Sequence, residues 1–341
     1  MRQHGNMEPT EALAEIAFLL ERGRESTYRV QAFRKAAAAI AGVEDLAARR
    51  DRLTSIDDVG KTSAEVIRQA LDGQVPDYLA KLRSSGMGPL VPGGEEVRAQ
   101  LLGDLHTHSD WSDGGSPIDV MARTAQRVGH QYMALTDHSP RLTVANGLSA
   151  ERLAEQLDIV AEVDDALDDF HLLRGIEVDI NEDGTLDQTP EMLARLDVVV
   201  ASVHSKLRMD RIGMTRRMLK AVADPATNVL GHCTGRLVEG SRGKRPESQF
   251  DAKRVFAACA ENDVAVEINS RPERRDPPDQ LIAVALDAGC LFSIDSDAHA
   301  PGQLDFLDHG AARVQQLGLP LDRVVTTWPV DRLLEWSRAK R

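Results

Sequence analysis

The 341-residue sequence is poor in cysteine and in aromatic residues: three Cys, three Trp, three Tyr and seven Phe. Cys233, Cys259 and Cys290 are odd in number and form no CxxC, which argues against a disulfide framework and fits a reducing compartment. No apolar run approaches the ~18 residues of a membrane span. The opening MRQHGNMEPTEALAE lacks the charged-then-apolar order of a secretory signal. These absences predict a cytoplasmic chain with no membrane partner. A GxSxG elbow and a P-loop are also missing, so neither a serine nucleophile nor a phosphate-cradling loop is on offer. Positive charge is short as well: 41 Lys and Arg against 54 Asp and Glu give −13. That balance argues against tight, non-specific binding to nucleic acid. Bound metal ions would be missing from the sum, however, and ten histidines give a reason to expect them.

At roughly 150 residues per domain the length suits two domains, or one large α/β barrel with an appendage. Residues 1–85 read as helical throughout. From Thr10, an expected N-cap, Leu13, Ile16, Ala17 and Leu20 form one apolar stripe. Phe33, Ala36, Ala37 and Ile40 mark a second helix over Tyr28 to Ile40, and LTSIDDVGKTSAEVIRQAL from Leu53 to Leu71 reads as helix, tight turn at Gly60, helix. This part holds 13 basic and 13 acidic residues, so the whole negative charge belongs to the remainder. Residues 86–100, rich in Gly and Pro at first, are the expected linker.

From Leu101 the pattern changes. LLGDLHTH, YMALTDH, HLLRGIEVD, VVVASVH, NVLGHC, VAVEINS and LFSIDSDAH are seven strand candidates separated by helix-length segments, the signature of βα units around a parallel sheet. Residues 101–341 are therefore expected to form an α/β barrel. Its ionisable residues fall at the C-terminal ends of the strands: His106 and His108, Asp137 and His138, Glu177, His204, His232, then Asp297 and His299. In a parallel barrel those ends share one face, where active sites form. Taken singly, each has a bland reading as a core histidine or a strand-end charge. Six of ten histidines in equivalent places is a joint pattern that scattered structural histidines do not explain, and Zn, Mn and Fe sites use such His, Asp and Glu clusters.

GDLHTHSDWSDG, LTDHS, GIEVDI, SVHS, LGHCTGR, EINSRPERRD and DSDAH resemble, in order, the motifs of the PHP (polymerase and histidinol phosphatase) domain, as found at the C-terminus of bacterial family X DNA polymerases. The resemblance implies a distorted (β/α)7 barrel holding three divalent ions. By position His106, His108, Glu177 and Asp297 would hold the first, Glu177 with His204 and His232 the second, and Asp113, His138 and His299 the third. It implies phosphoester hydrolysis by a metal-bridging hydroxide held by Glu177, His106, His108 and Asp297. Lys206, Arg236 and Arg271 are candidates for gripping substrate phosphate, each also readable as a solvated surface charge. Asp137 is expected to orient a histidine, and Cys233, standing where the polymerase-associated modules usually have proline, is assigned no role.

The helical region resembles the N-terminal lyase domain of family X polymerases, including its helix-hairpin-helix. Gly60, Lys61 and Thr62 take the place where backbone amides meet a DNA phosphate. Two residues depart from the family: Asp58 replaces the first glycine of GxG, and Val66 stands where the Schiff-base lysine belongs. No palm segment separates the module from the barrel, so polymerase activity is excluded on this reading. The expected function is a DNA-processing nuclease or 3′-end phosphodiesterase acting on DNA ends or nucleotides. A small-molecule phosphatase of the histidinol-phosphate type and a non-catalytic DNA-binding scaffold are the alternatives.

Overall fold

The computed structural model describes residues 7–240 and 243–340. The chain divides between Pro89 and Leu90 into two units. The first holds α1 (Pro9–Arg22), α2 (Thr27–Ala41), a 3-10 segment (Leu46–Ser55), α3 (Lys61–Leu71) and α4 (Asp77–Gly86). The expected stripe on α1 is buried against Phe33, Ala36 and Ile40 of α2, with Val66, Ile67 and Leu79 completing the core. Ala37 is only half-buried beside it. Thr10 is not the N-cap. Glu8 is, because Pro9 at the first helical position has the φ a helix needs and no amide to satisfy.

The second unit is a barrel of seven parallel strands in the order β1 (Gly103–Thr107), β2 (Tyr132–Leu135), β3 (His171–Asp179), β4 (Val198–Ser202), β5 (Val229–Leu230), β6 (Ala265–Asn269) and β7 (Phe292–Asp295). A parallel bridge between Thr107 and Ala298 brings the end of β7 back to β1. Buried carboxylates reinforce that seam: Asp295 accepts from the Leu105 amide, and Asp104 accepts from the amide and hydroxyl of Ser296. Gly103 is needed for packing, since a Cβ there would lie 2.1 Å from the Tyr132 ring, whose hydroxyl donates to the Trp328 carbonyl.

Helices surround the strands: α5 (Glu95–Arg98), α6 (Ile118–Arg127), α7 (Ala150–Asp165), α8 (Pro190–Leu193), α9 (Arg211–Val222), α10 (Ala252–Glu261), α11 (Asp279–Asp287), α12 (Leu307–Leu317) and α13 (Val330–Arg338). Short α5 falls within the expected linker, and residues 90–100 belong to the barrel unit. Val97 and Leu101 are buried in its core, and Arg98 faces Asp308 at 3.4 Å. Val97 is the one of these two that falls in the expected linker, where Gly and Pro mask a single apolar anchor. Among the described residues no helix is long and apolar enough to cross a membrane.

Candidate metal centre

Side chains two apart on a strand share a face, so β1 turns both His106 and His108 inward. β3, β4 and β5 contribute Glu177, His204 and His232 in the same way at or just past their C-terminal ends, and the loops after β1, β2 and β7 add Asp113, His138, and Asp297 with His299. The outcome is four overlapping groups whose ligand atoms lie within 4.8 Å of one another: His106, Glu177 and His232; His138, Glu177 and His204; His106, His108 and Asp297; and His108, Asp113, His138 and His299. All nine residues expected to ligate are brought together.

Glu177 is the hub. Its Oε1 faces Nε2 of His232 at 2.8 Å and Nε2 of His204 at 3.1 Å, while Oε2 faces Nδ1 of His138 at 2.9 Å, Nε2 of His106 at 3.3 Å and Nε2 of His108 at 3.7 Å. Asp113 stands 3.4 Å from His138 and 3.3 Å from His299. Oε1 thus carries the pair expected to share an ion with Glu177, whereas His138 reaches both Glu177 and the Asp113 group.

These groups fit a divalent ion. Nε2 of His106, both ring nitrogens of His108, Nδ1 of His138, Nε2 of His204 and Oε1 of Glu177 are buried without a hydrogen-bond partner. Orphaned buried polar atoms are rare and costly, and these point at one another. Donors around a four-coordinate ion at about 2.1 Å stand about 3.4 Å apart, which is the range seen here.

Electrostatics agree. Burial opposes ionisation of Glu177, but the imidazoles of His204, His106, His138 and His232 hold its carboxyl well below the usual carboxylate range. Burial likewise opposes ionisation of Asp297, and His106, His108, Arg271 and Arg274 overcome it. His108 is held neutral by burial and by neighbouring His299 and His138. Ionised carboxylates and a neutral imidazole are the forms a cation binds.

The residues behind the ligands are partly a surprise. Asp137 orients no histidine: its carboxylate accepts from Ser109, Ser112 and Gln156, tying down the loop after β1. The ring partners are Glu267, 2.5 Å from Nδ1 of His106, and Asp179, which contacts Nδ1 of His204. Both could have been read from alternation, since Asp179 is two past Glu177 on β3 and Glu267 is the inward residue between Val266 and Ile268 on β6.

The three expected phosphate-gripping cations diverge. Arg236 donates to the carbonyls of Arg274 and Arg275 and pairs with Glu247, so its guanidinium is spent on loop structure. Arg271 donates to the Asp297 carbonyl and lies 2.9 Å from Nδ1 of His299, behind the ligands. Arg274 and Asn269, unflagged by the sequence, both donate to Oδ2 of Asp297. Lys206 alone is exposed, held at φ +53° just past His204. Cys233 is buried, and burial holds its thiol well above its ordinary value.

In the helical unit, Gly60 caps α3 with no side-chain hydrogen bond, leaving the first-turn amides of Lys61 and Thr62 without intrahelical acceptors. Asp58 adopts φ +62°, the conformation that makes glycine usual there and that Asp tolerates.

Residues 104–271 match the family model of the PHP domain. The chain carries a PHP domain. Residues 4–75 match a helix-hairpin-helix domain, so this PHP-domain protein has the two modules in that order. It is 36% identical over 217 residues to the DNA polymerase/3′-5′ exonuclease PolX of Bacillus subtilis, which takes in 64% of this chain and 37% of that protein. The PHP-domain chain therefore spans well under half of that relative. It is 25% identical over 256 residues to a probable phosphatase of Caldanaerobacter subterraneus, covering 72% of this chain and 94% of the relative. The probable phosphatase YcdX of Shigella flexneri is 27% identical over 247 residues, with 70% and 94% covered. A histidinol phosphate phosphatase of Lactococcus lactis, solved with zinc, L-histidinol and phosphate, has a TM-score of 0.47 at 17% identity, over 64% of this chain and 95% of that one. The PHP domain makes the protein a hydrolase acting on phosphoester bonds.

Proposed function

We propose that this PHP-domain hydrolase is a DNA-processing phosphoesterase, a nuclease or 3′-end phosphodiesterase, whose barrel holds three divalent ions of zinc, manganese or iron. The observation that carries the reading is the convergence of His106, His108, Asp113, His138, Glu177, His204, His232, Asp297 and His299, with buried atoms of His106, His108, His138, Glu177, His204 and His232 unpartnered. Ions held there would supply Lewis acidity toward phosphoryl oxygens and make water a nucleophile near neutral pH.

The protein's own part is positioning. Glu267 and Asp179 fix the rings of His106 and His204 so that Nε2 of each faces Glu177. Arg274 and Asn269 hold one oxygen of Asp297 and leave Oδ1, 3.6 Å from Nε2 of His108, toward the cluster. Arg271 keeps His299 in place from behind. With burial of all but Asp113, His204 and His299, the floor of the site is closed to bulk water and substrate enters over those three.

DNA is favoured by the helix-hairpin-helix match, by the open first turn of α3 and by a relative named for 3′-5′ exonuclease activity. A second reading, a small-molecule phosphatase, is favoured by probable phosphatases that the chain covers nearly end to end. Assay of the Mn²⁺- or Zn²⁺-loaded full chain on a labelled oligonucleotide and on histidinol phosphate separates them. Shortening of the oligonucleotide is expected; release of phosphate from the monoester alone would establish the second reading instead.

A further inference from the structure

The negative charge of the chain is not evenly spread. From Lys206 to Lys220 there are six Lys and Arg and one acidic residue, Asp210. Asp210 is occupied, since its carboxylate caps α9 by accepting from the amides of Ile212 and Gly213. Arg211 pairs with Asp251 at 3.0 Å, and buried Arg217 donates to the carbonyls of Ile180 and Ser205. Lys206, Arg208 and Arg216, joined by Arg254 from α10, are exposed and have no carboxylate in ion-pair range among the described residues.

Their placement is directional. Lys206 lies two residues past His204. Neighbouring Leu207 packs on Gly235, where a Cβ would come within 2.7 Å of it, three residues past His232. The row therefore starts at the mouth of the metal centre. It continues along two surface grooves. One, of about 290 Å³, is lined by Arg208, Arg245 and Glu247, whose carboxylate is paired with Arg236; the next, of about 360 Å³, by Arg211, Arg216, Arg254 and Asp251, whose carboxylate is paired with Arg211. Apolar side chains accompany the cations: Met209 in the first groove and Ile212, 81% exposed, in the second.

Carboxylates are plentiful in this chain, so a run of cations left without them is completed by an anion from outside. Arg211 and Arg216 alone are about 7.5 Å apart along the helix axis, and Lys206 and Arg208 precede them. That is too long for one phosphate and suits several in series. A positively charged groove that tracks the backbone is what single strands use, and Met209 and Ile212 give unstacked bases an apolar surface beside it.

We infer that Lys206, Arg208, Arg216 and Arg254 form a ledge that grips the phosphodiester backbone of a single-stranded polynucleotide and leads it into the metal centre. This rests on the nucleic-acid reading of the site. The test is the charge-reversed variant R208E/R216E/R254E of the metal-loaded full chain, with the corresponding triple-alanine variant alongside and circular dichroism to establish folding. For a long labelled oligonucleotide KM rises at least ~10-fold, and the slope of log affinity against log salt shrinks by about 2, three contacts at ~0.7 each. Hydrolysis of bis-p-nitrophenyl phosphate, too small to reach the ledge, stays at the wild-type rate. Unchanged KM and salt slope on the oligonucleotide, or equal losses on both substrates in folded protein, overturn the ledge alone. Wild-type protein that hydrolyses the small ester and leaves oligonucleotides intact overturns the ledge and the DNA reading together.

Discussion

Oε1 of Glu267 stands 2.5 Å from Nδ1 of His106, while Nε2 of the same ring faces Oε2 of Glu177 at 3.3 Å. One imidazole is thereby clamped between a carboxylate that orients it and the carboxylate at the centre of the site. Glu267 is fully buried and also accepts from the His232 amide, so it aligns two ligand candidates at once.

Glu267→Gln is therefore expected to weaken metal binding by about 10- to 100-fold, the usual cost of losing an orienting carboxylate, and to recover activity at excess metal. The amide can still accept from His232, so the fold survives. Titration of Mn²⁺ into metal-free protein by calorimetry reads the effect; wild-type affinity in the variant would show that Glu267 is only a packed polar group.

Loss of a ligand should cost more than loss of its support. His106→Ala and Glu177→Gln are expected to lower phosphoester hydrolysis by more than about 100-fold, above the range for an orienting residue, and excess metal should not restore it. Glu177 is the stricter case because five imidazoles approach its two oxygens. Folded variants that keep wild-type turnover would return the scaffold reading to contention.

Much of this architecture was legible because one physical rule covered it: inward residues at the ends of parallel strands meet. Placing His106, Glu177, His204 and His232 required only strand candidates and a barrel. What was not legible depended on which of several polar neighbours a side chain chooses. Asp137 looked like a partner for a histidine, yet its carboxylate takes the loop hydroxyls of Ser109 and Ser112 instead. Arg236 and Arg271 looked like free cations because sequence does not show the carbonyls that turn toward them. Residues 90–100 looked like linker because one buried apolar side chain, Val97, among Gly, Pro and charge sets up no period.

Metal removal should be visible in stability. The cluster leaves buried nitrogens and Oε1 of Glu177 unpartnered, a cost that bound ions offset in the folded chain only. Each site held at 100 times its Kd adds about 2.7 kcal/mol. Scanning calorimetry with Mn²⁺ or Zn²⁺ and then with chelator should show a lower melting temperature for the barrel after chelation. Identical melting in the two would mean that the cluster binds no ion at these concentrations.

Away from the cluster, His130 offers a pH test. It lies between α6 and β2, is 3% exposed, and neither ring nitrogen has a hydrogen-bond partner. Burial, and less so Arg98, pushes its pKa down to about 3. In the unfolded chain an imidazole titrates near 6.5, so below that pH the unfolded state takes up a proton that the folded state refuses. Its contribution to stability is complete above about pH 6.5 and declines as pH falls toward 3, by about 1.4 kcal/mol per unit. His130→Leu removes this dependence. Between pH 7.5 and 5.5 the unfolding free energy of the variant, relative to wild type in the presence of chelator, should shift in its favour by about 1.4 kcal/mol. Urea titrations at the two pH values measure it, and a difference that does not change with pH would mean that His130 is protonated in the folded protein.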